Sequence, residues 1–258
     1  MNQTSTSRFA SNLLSVQVLG PFQVVRNCEK LQLGPVRQQA VLLPLVLRAG
    51  RTVAQEEILD SVWGEAVPAS GIALVRTYVS RLRRIVGCAV IGRCAAGYYL
   101  RLDLSQVDLT AFDQQVMEAR KLRRRGDLDS CATALRKASG LWRGPPLPRI
   151  PGPLAESQRQ RLTDLHMTTL EECWDTEILL GRHAELVVEL SAAVRDFPLR
   201  ENLTRLLMLA YYRSGRSADA MAVFDATRHR LAEELGIRPA PSLRQLYDRI
   251  RSGDPEPM

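Results

Sequence analysis

The chain has 258 residues, of which 45% are apolar, 24% charged and only 5% aromatic. That is enough for one large domain or two small ones, with a core that needs neither disulfides nor metal, so disordered and disulfide-rich secreted classes are excluded. The formal net charge is +7, with 12 Arg/Lys against 6 Asp/Glu through Leu104 and 23 against 22 beyond it. A basic first part joined to a near-neutral remainder points to a polyanion-binding module carried by a regulatory one.

Cys28, Cys88, Cys94, Cys131 and Cys173 form an odd set with no C-x-x-C pair, and they read as buried, reduced thiols. Met1 to Asn12 lacks an apolar signal-peptide core, and no segment is apolar for long enough to span a bilayer. A soluble, cytoplasmic protein is expected, with residues 1–14 as a flexible N-terminus and 252–258 as a tail that frays.

Val16, Val18, Phe22 and Val24, broken by Gly20-Pro21, predict two short strands, with a third at Leu31 to Leu33. Pro35 opens a buried helix that Gly50 is placed to end, and Pro44 inside it predicts a kink or an early first turn. Arg51 to Val53 can form a short strand. Ile58, Leu59, Val62 and Trp63 predict an amphipathic helix over 55–63, followed by a turn over 64–70.

The next helix, from about Gly71 to Val86, is the most informative segment. Ile72, Val75, Val79, Leu82 and Val86 fall along one stripe, whereas Arg76, Thr77, Ser80, Arg81 and Arg84 lie opposite it, with Arg83 at the margin and Tyr78 flanking. Strand-like runs at Ala89 to Ile91 and Tyr98 to Leu102, separated by Gly92, Arg93 and Gly97, predict a hairpin with a cationic tip. Strands, three helices and a hairpin make a winged helix-turn-helix over 15–104. Its third helix is the one to insert in a major groove, while the hairpin reaches flanking backbone or minor groove. Arg pairs with guanine or clamps phosphate, and Thr and Ser bond base or backbone. A basic helix face alone is more often a solvated surface; the order of elements raises the DNA-binding interpretation above that.

Beyond Leu104 the pattern is helical, over 105–251. Leu109, Phe112, Val116, Ala119 and Leu122 form a stripe, with Asp108 or Thr110 as N-cap and Gly126 as stop. Gly181-Arg182 and Gly215-Arg216 are 34 residues apart. Offsets of five, nine and twelve residues give Leu186, Leu190 and Ala193 from the first glycine, and Ala220, Phe224 and Thr227 from the second; from Gly126 they give Cys131, Leu135 and Ala138. This degenerate repeat is of tetratricopeptide type, each glycine turning between antiparallel helices. Gly144 to Pro153 reads as an ordered loop and residues 153–180 as one long helix, whose His166, Cys173 and Trp174 are core or groove lining. No dinucleotide, phosphate-loop, nucleophile-elbow or zinc-protease motif occurs, so no enzyme, cofactor or metal site is predicted. Adjacent carboxylates such as Glu171-Glu172 point to different faces rather than forming a dyad.

The strings VLGPF at 18–22, TYVSRLRR at 77–84 and Gly97-Tyr98 resemble the DNA-binding domain of the Streptomyces antibiotic regulatory proteins. LWRGPPL at 141–147, LGRHAEL at 180–186 and EELGI at 233–237, followed by Pro239, resemble the same family's bacterial transcriptional activator domain. The similarity covers roughly residues 14 to 250.

It implies a mainly α fold with small β content, an OmpR-like winged helix joined to an all-α tetratricopeptide-like domain, as in the two-domain members of the family. It further implies an activator of antibiotic biosynthetic clusters in a high-GC actinomycete, an origin that the 32 Arg against 3 Lys fit. Such proteins bind direct repeats near the promoter −35 region as dimers or higher assemblies and recruit RNA polymerase holoenzyme through its sigma, alpha and beta subunits. By position, Arg76, Thr77, Tyr78, Ser80, Arg81, Arg83 and Arg84 would meet DNA, with Arg93 on the hairpin. The loop from Gly64 to Pro68, with Glu65 and Val67, would touch polymerase. The chain departs from the family at the hairpin tip, where Arg93-Cys94-Ala95-Ala96 replaces Arg-Pro-Pro. The alternative is an adaptor whose helical repeats bind a protein or peptide and whose DNA affinity is weak or blind to sequence. A third possibility is a small-molecule sensor in the helical groove.

Overall fold

The computed structural model describes residues 14–254. Of the expected flexible ends, residues 1–13 and 255–258 lie outside the described residues, whereas Leu14 begins the first strand, Ser252 ends the last helix and Asp254 accepts from Tyr212 and Arg249, so those positions are ordered. The chain divides into two compact units, one of residues up to 115 with 137–166, the other of 116–136 with those from 167 onward. Among the described residues it is mainly helical, with two three-stranded sheets.

In the first unit, β1 (Leu14–Gln17), β2 (Gln23–Arg26) and β3 (Glu29–Lys30) form an antiparallel sheet in sequence order. The third strand forms earlier than Leu31 to Leu33. Asn27 and Cys28 both adopt left-handed conformations, with φ of 50° and 68°, and close a two-residue turn, so pairing resumes at once. α1 (Val36–Leu47) begins beside Pro35 and runs through the buried Pro44, so no early first turn forms. β4 (Thr52–Val53), α2 (Gln55–Trp63) and α3 (Gly71–Val86) follow as the sequence predicts. The three helices pack on one another around Val41, Leu45, Ile58, Val75 and Leu82, all fully buried.

The hairpin differs in detail. Its strands are β5 (Ile91–Cys94) and β6 (Gly97–Leu100), β6 lying between β4 and β5, and the tip is Ala95-Ala96. Gly92 and Arg93 are therefore strand residues rather than a cationic tip. Residues 88–90 are used up in a turn that Val90 N–H closes on the Gly87 carbonyl, so the first strand cannot start at Ala89.

A 3-10 turn at Leu104–Gln106 leads into α4 (Asp108–Arg124). Asp108 is not a free-standing N-cap. Its carboxylate accepts Val18 N–H at 2.8 Å and Leu19 N–H at 3.2 Å, and Arg143 Nη2 donates to it at 2.6 Å. The five-proline loop is ordered as expected: Arg143 and Leu147 donate their N–H groups to the Leu19 and Gly20 carbonyls, and Leu147 and Ile150 are buried.

The division between the units falls within α4, α5 (Leu128–Ser139) and α6 (Pro153–Leu179). The second unit continues with α7 (His183–Asp196), α8 (Glu201–Arg213), α9 (Ser217–Leu235) and α10 (Pro241–Ser252). Gly126, Gly181 and Gly215 have φ of +79°, +80° and +75°, and each closes the same pair of bonds. The glycine N–H meets the carbonyl three residues back, and the next residue's N–H meets the carbonyl five back. This left-handed helix stop favours glycine, which explains the recurrence. Every repeat offset, from Cys131 to Thr227, is buried. Gly236 also ends α9 in a left-handed cap, so the Glu233 to Ile237 string is a helix stop.

The expectation that all five cysteines are buried fails for three. Cys28 lies in the β2–β3 turn, Cys88 beyond the end of α3 and Cys94 on the edge strand β5, and all are exposed. Only Cys131 and Cys173 are interior, and burial raises the Cys173 thiol to about 11. Among the described residues no helix is long and apolar enough to cross a membrane, and no group of three His, Cys, Asp or Glu is placed to hold a metal.

Candidate nucleic-acid interface

α3 owes its two faces to its spacing of apolar residues. Val75, Val79, Leu82 and Val86 are at most 1% exposed. Ile72, expected on the same stripe, is 44% exposed instead, because it sits at the stripe's margin in the first turn, where Gly71 is the residue packed against Leu59 and Val67. Arg76, Thr77, Ser80, Arg81 and Arg84 are exposed on the opposite face, and Tyr78 is half-buried. The Thr77 hydroxyl donates to the Ala73 carbonyl at 2.9 Å, which leaves its oxygen as an acceptor. At the helix end, Arg26 of β2 donates to the Val86 carbonyl at 2.6 Å, a cation against the negative pole of α3.

Arg83 stands apart from the other arginines of α3. It is half-buried, its Nε donates to the Ile91 carbonyl at 2.9 Å, and its guanidinium carbon lies 5.9 Å from the centre of the Tyr98 ring.

The wing is set by its register. Arg93 pairs with Tyr98, so the two share a sheet face, whereas Gly92, Tyr99 and Thr52 share the other. Tyr98 is buried and Arg93 exposed. Gly97, with φ of +152°, is required because a Cβ there would stand 2.1 Å from the Val53 carbonyl oxygen. On the other face the Tyr99 ring occupies the space a Gly92 side chain would need, and Arg101 donates to the Tyr99 hydroxyl at 2.9 Å. Thr52 Oγ1 lies 3.7 Å from Cys94 Sγ, and that hydrogen bond holds the thiol below its ordinary pKa. The sequence reading missed the Tyr99–Arg101 pair; it becomes visible once Ala95-Ala96 is taken as the turn.

Of the loop residues, Gly64 caps α2 with φ of +56° against the Pro153 ring, Glu65 is exposed and Val67 is 40% exposed. Val67 and Ile72 therefore place two exposed aliphatic side chains at the entry to α3.

The charges of the two units are used differently. Among the described residues, Arg76, Arg81, Arg84 and Arg93 enter no ion pair, although all are exposed. In the second unit many arginines are matched to carboxylates, although exposed ones such as Arg124, Arg195 and Arg244 enter no ion pair among the described residues. Arg120 pairs with Glu172, Arg123 and Arg205 with Asp175, Arg200 with Glu171, and Arg136 and Arg182 with Glu177. Glu171 and Glu172 take different partners, but both line one groove rather than pointing to different faces as expected. Burial pushes the Asp175 and Glu177 carboxyls up, but the arginine hydrogen bonds outweigh it and hold both below their ordinary values. A groove of about 630 Å³ in this unit is lined by Arg120, Arg123, Arg124 and Arg205 against Glu171, Glu172 and Asp175, so its charges nearly balance.

Comparison with known proteins agrees with this architecture. The model for the bacterial transcriptional activator domain matches residues 107–251, and that for "transcriptional regulatory protein, C terminal" matches residues 29–92. The regulatory protein AfsR of Streptomyces griseus is 43% identical over 246 residues, which are 95% of this chain and 25% of that protein. The regulatory protein DnrI of Streptomyces peucetius is 32% identical over 254 residues, 94% of this chain and 93% of that protein. The solved structure of Mycobacterium tuberculosis EmbR in complex with a low-affinity phosphopeptide superposes with a TM-score of 0.88 at 29% identity, covering 95% of this chain and 66% of that one. The chain thus spans about a quarter of the AfsR proteins and nearly all of DnrI. With both domains in order and relatives that are themselves regulatory proteins, the chain belongs to the Streptomyces antibiotic regulatory protein family of transcriptional regulators.

Proposed function

We propose that this regulator is a sequence-specific DNA-binding activator: α3 enters the major groove, the wing meets the flanking backbone or minor groove, and no chemistry is performed on the DNA. The observation that carries the proposal is the cluster of exposed arginines on α3 and the wing, Arg76, Arg81, Arg84 and Arg93, which enter no ion pair and stand on the winged helix's outward faces. Arg76, Thr77, Tyr78, Ser80, Arg81 and Arg84 are the groove-facing set, and Arg93 is the wing contact. Phosphate neutralisation supplies most of the affinity, and a few base contacts supply specificity.

The DNA-binding part is taken as 15–104 and the activator part as 105–251, a division supported by the family matches at 29–92 and 107–251. As the family resemblance implies, the target is a direct repeat near a promoter −35 region of an antibiotic biosynthetic cluster, in the nucleoid of the cytoplasm. Copies would associate as dimers on the repeat, and tandem sites raise occupancy through contacts between neighbours. RNA polymerase holoenzyme is recruited through its sigma, alpha and beta subunits, with Gly64, Glu65 and Val67 as the candidate contact.

Gel-shift titration of neighbouring promoters tests the proposal. Arg81→Ala and Arg84→Ala should each weaken binding by about 1–3 kcal/mol if they read bases, and should flatten the salt dependence by about one unit each if they meet phosphates. Unchanged affinity and slope in both variants would remove α3 from the interface.

A further inference from the structure

We propose that Arg83 is a positioning residue that fixes the wing against α3, and so sets the spacing between the groove-facing arginines and Arg93. The proposal rests on the DNA-binding function above but reassigns one residue of its recognition helix. On sequence alone Arg83 belongs with Arg81 and Arg84 as a DNA contact. Its surroundings are different. Arg81 and Arg84 are exposed, whereas Arg83 is half-buried with its Nε given to the Ile91 carbonyl at 2.9 Å and its guanidinium facing the Tyr98 ring.

The two partners span the wing, Ile91 at its root and Tyr98 near its tip. Ile91 is the first residue of β5, 1% exposed and paired with Leu100; Tyr98 is 2% exposed and paired directly with Arg93. The Arg83 guanidinium therefore sits on the sheet face that Arg93 shares, two strand positions from it. β6 is held by its pairing with β4 and the close approach of Gly97 to Val53, whereas β5 is the edge strand. Arg93, Cys94, Ala95 and Ala96 are exposed, and the connection from α3 passes through Gly87, with φ of +101°. Arg26 secures the end of α3, but to the N-terminal sheet, not to the wing. A planar guanidinium can donate through Nε while its face covers an aromatic ring; an ammonium cannot reproduce that geometry.

A brace and a phosphate contact give opposite results in the full-length chain. Hydrogen exchange on the free protein is the first arm. Arg83→Lys and Arg83→Met should each speed exchange across residues 91–100 about tenfold or more, while residues 75–86 keep wild-type protection. The second arm uses a fluorescein-labelled duplex footprinted by the wild-type chain. Arg83→Lys keeps the charge, yet it should weaken binding about as much as Arg83→Met. Adding Arg93→Ala to Arg83→Met should then cost less than about threefold, well below its cost in the wild-type background, because a drifting wing has already lost that contact.

Wild-type exchange in both variants, or full rescue of binding by Arg83→Lys with multiplicative effects of Arg83→Met and Arg93→Ala, would overturn the brace. If the wild-type chain fails to discriminate promoter from arbitrary duplex, the DNA-binding proposal fails instead, and the exchange arm still decides the role of Arg83.

Discussion

His166 shows how a titratable side chain is kept out of chemistry. Its ring stacks on Trp142 with centroids 4.2 Å apart and planes 8° from parallel, and Trp142 meets Phe112 edge-on. Burial lowers its pKa to about 4. The unfolded chain therefore takes up a proton first as the pH falls, and the folded form loses stability from about pH 6.5 down towards 4. His166→Phe keeps an aromatic ring on Trp142 and removes the titration. Its melting temperature should fall less than that of the wild type between pH 7 and pH 5, and parallel curves would exclude His166 from the acid sensitivity. The reading of His166 and Cys173 as core or groove lining holds, with His166 half-buried and Cys173 buried, yet the three exposed cysteines were misjudged. Cysteine type alone says interior; turn and edge-strand positions overrode it.

At the scale of elements, what could be read from the sequence is what is local. α2 and α3 fall on their expected residues because apolar spacing and the flanking glycines act within a few residues of each other. The exposed face of α3 was legible for the same reason: a buried stripe fixes where its opposite side points. The hairpin register was not, since it depends on a turn over 88–90 and on a backbone approach between Gly97 and Val53 more than forty residues apart. The engagement of Arg83 was hidden by the same uncertainty. Gly97→Ala tests how strictly that approach sets the wing. A Cβ 2.1 Å from the Val53 carbonyl forces the strands apart. It should cost at least about 2 kcal/mol of stability, read as a lower urea midpoint, and it should reduce DNA affinity at temperatures where the chain remains folded. A variant as stable as the wild type would show that β4 and β6 can separate without loss.

At the scale of the whole molecule, charge and repeat were legible as statistics, but their use was not. The composition gives a basic first part, while only the ion pairs show that many arginines of the helical repeats are spent on carboxylates of the same unit. The Asp108 clasp was equally hidden, because its partners Val18 and Leu19 lie about ninety positions away in the chain. It gives a test of where the first unit ends. A fragment stopping at 104 removes the acceptor for two backbone donors and the bonds from Arg143 and Leu147, so it should melt well below one that runs to 166. Equal melting would mean that the clasp adds nothing.

That clasp also sets an order of events during synthesis. The stretch around Val18 to Gly20 leaves the ribosome early, but its acceptor at 108 and its donors at 143 and 147 emerge far later. Until then the Val18 and Leu19 N–H groups and the Leu19 and Gly20 carbonyls have only water for partners, so a translational pause before residue 143 would leave this segment most exposed to proteases and chaperones.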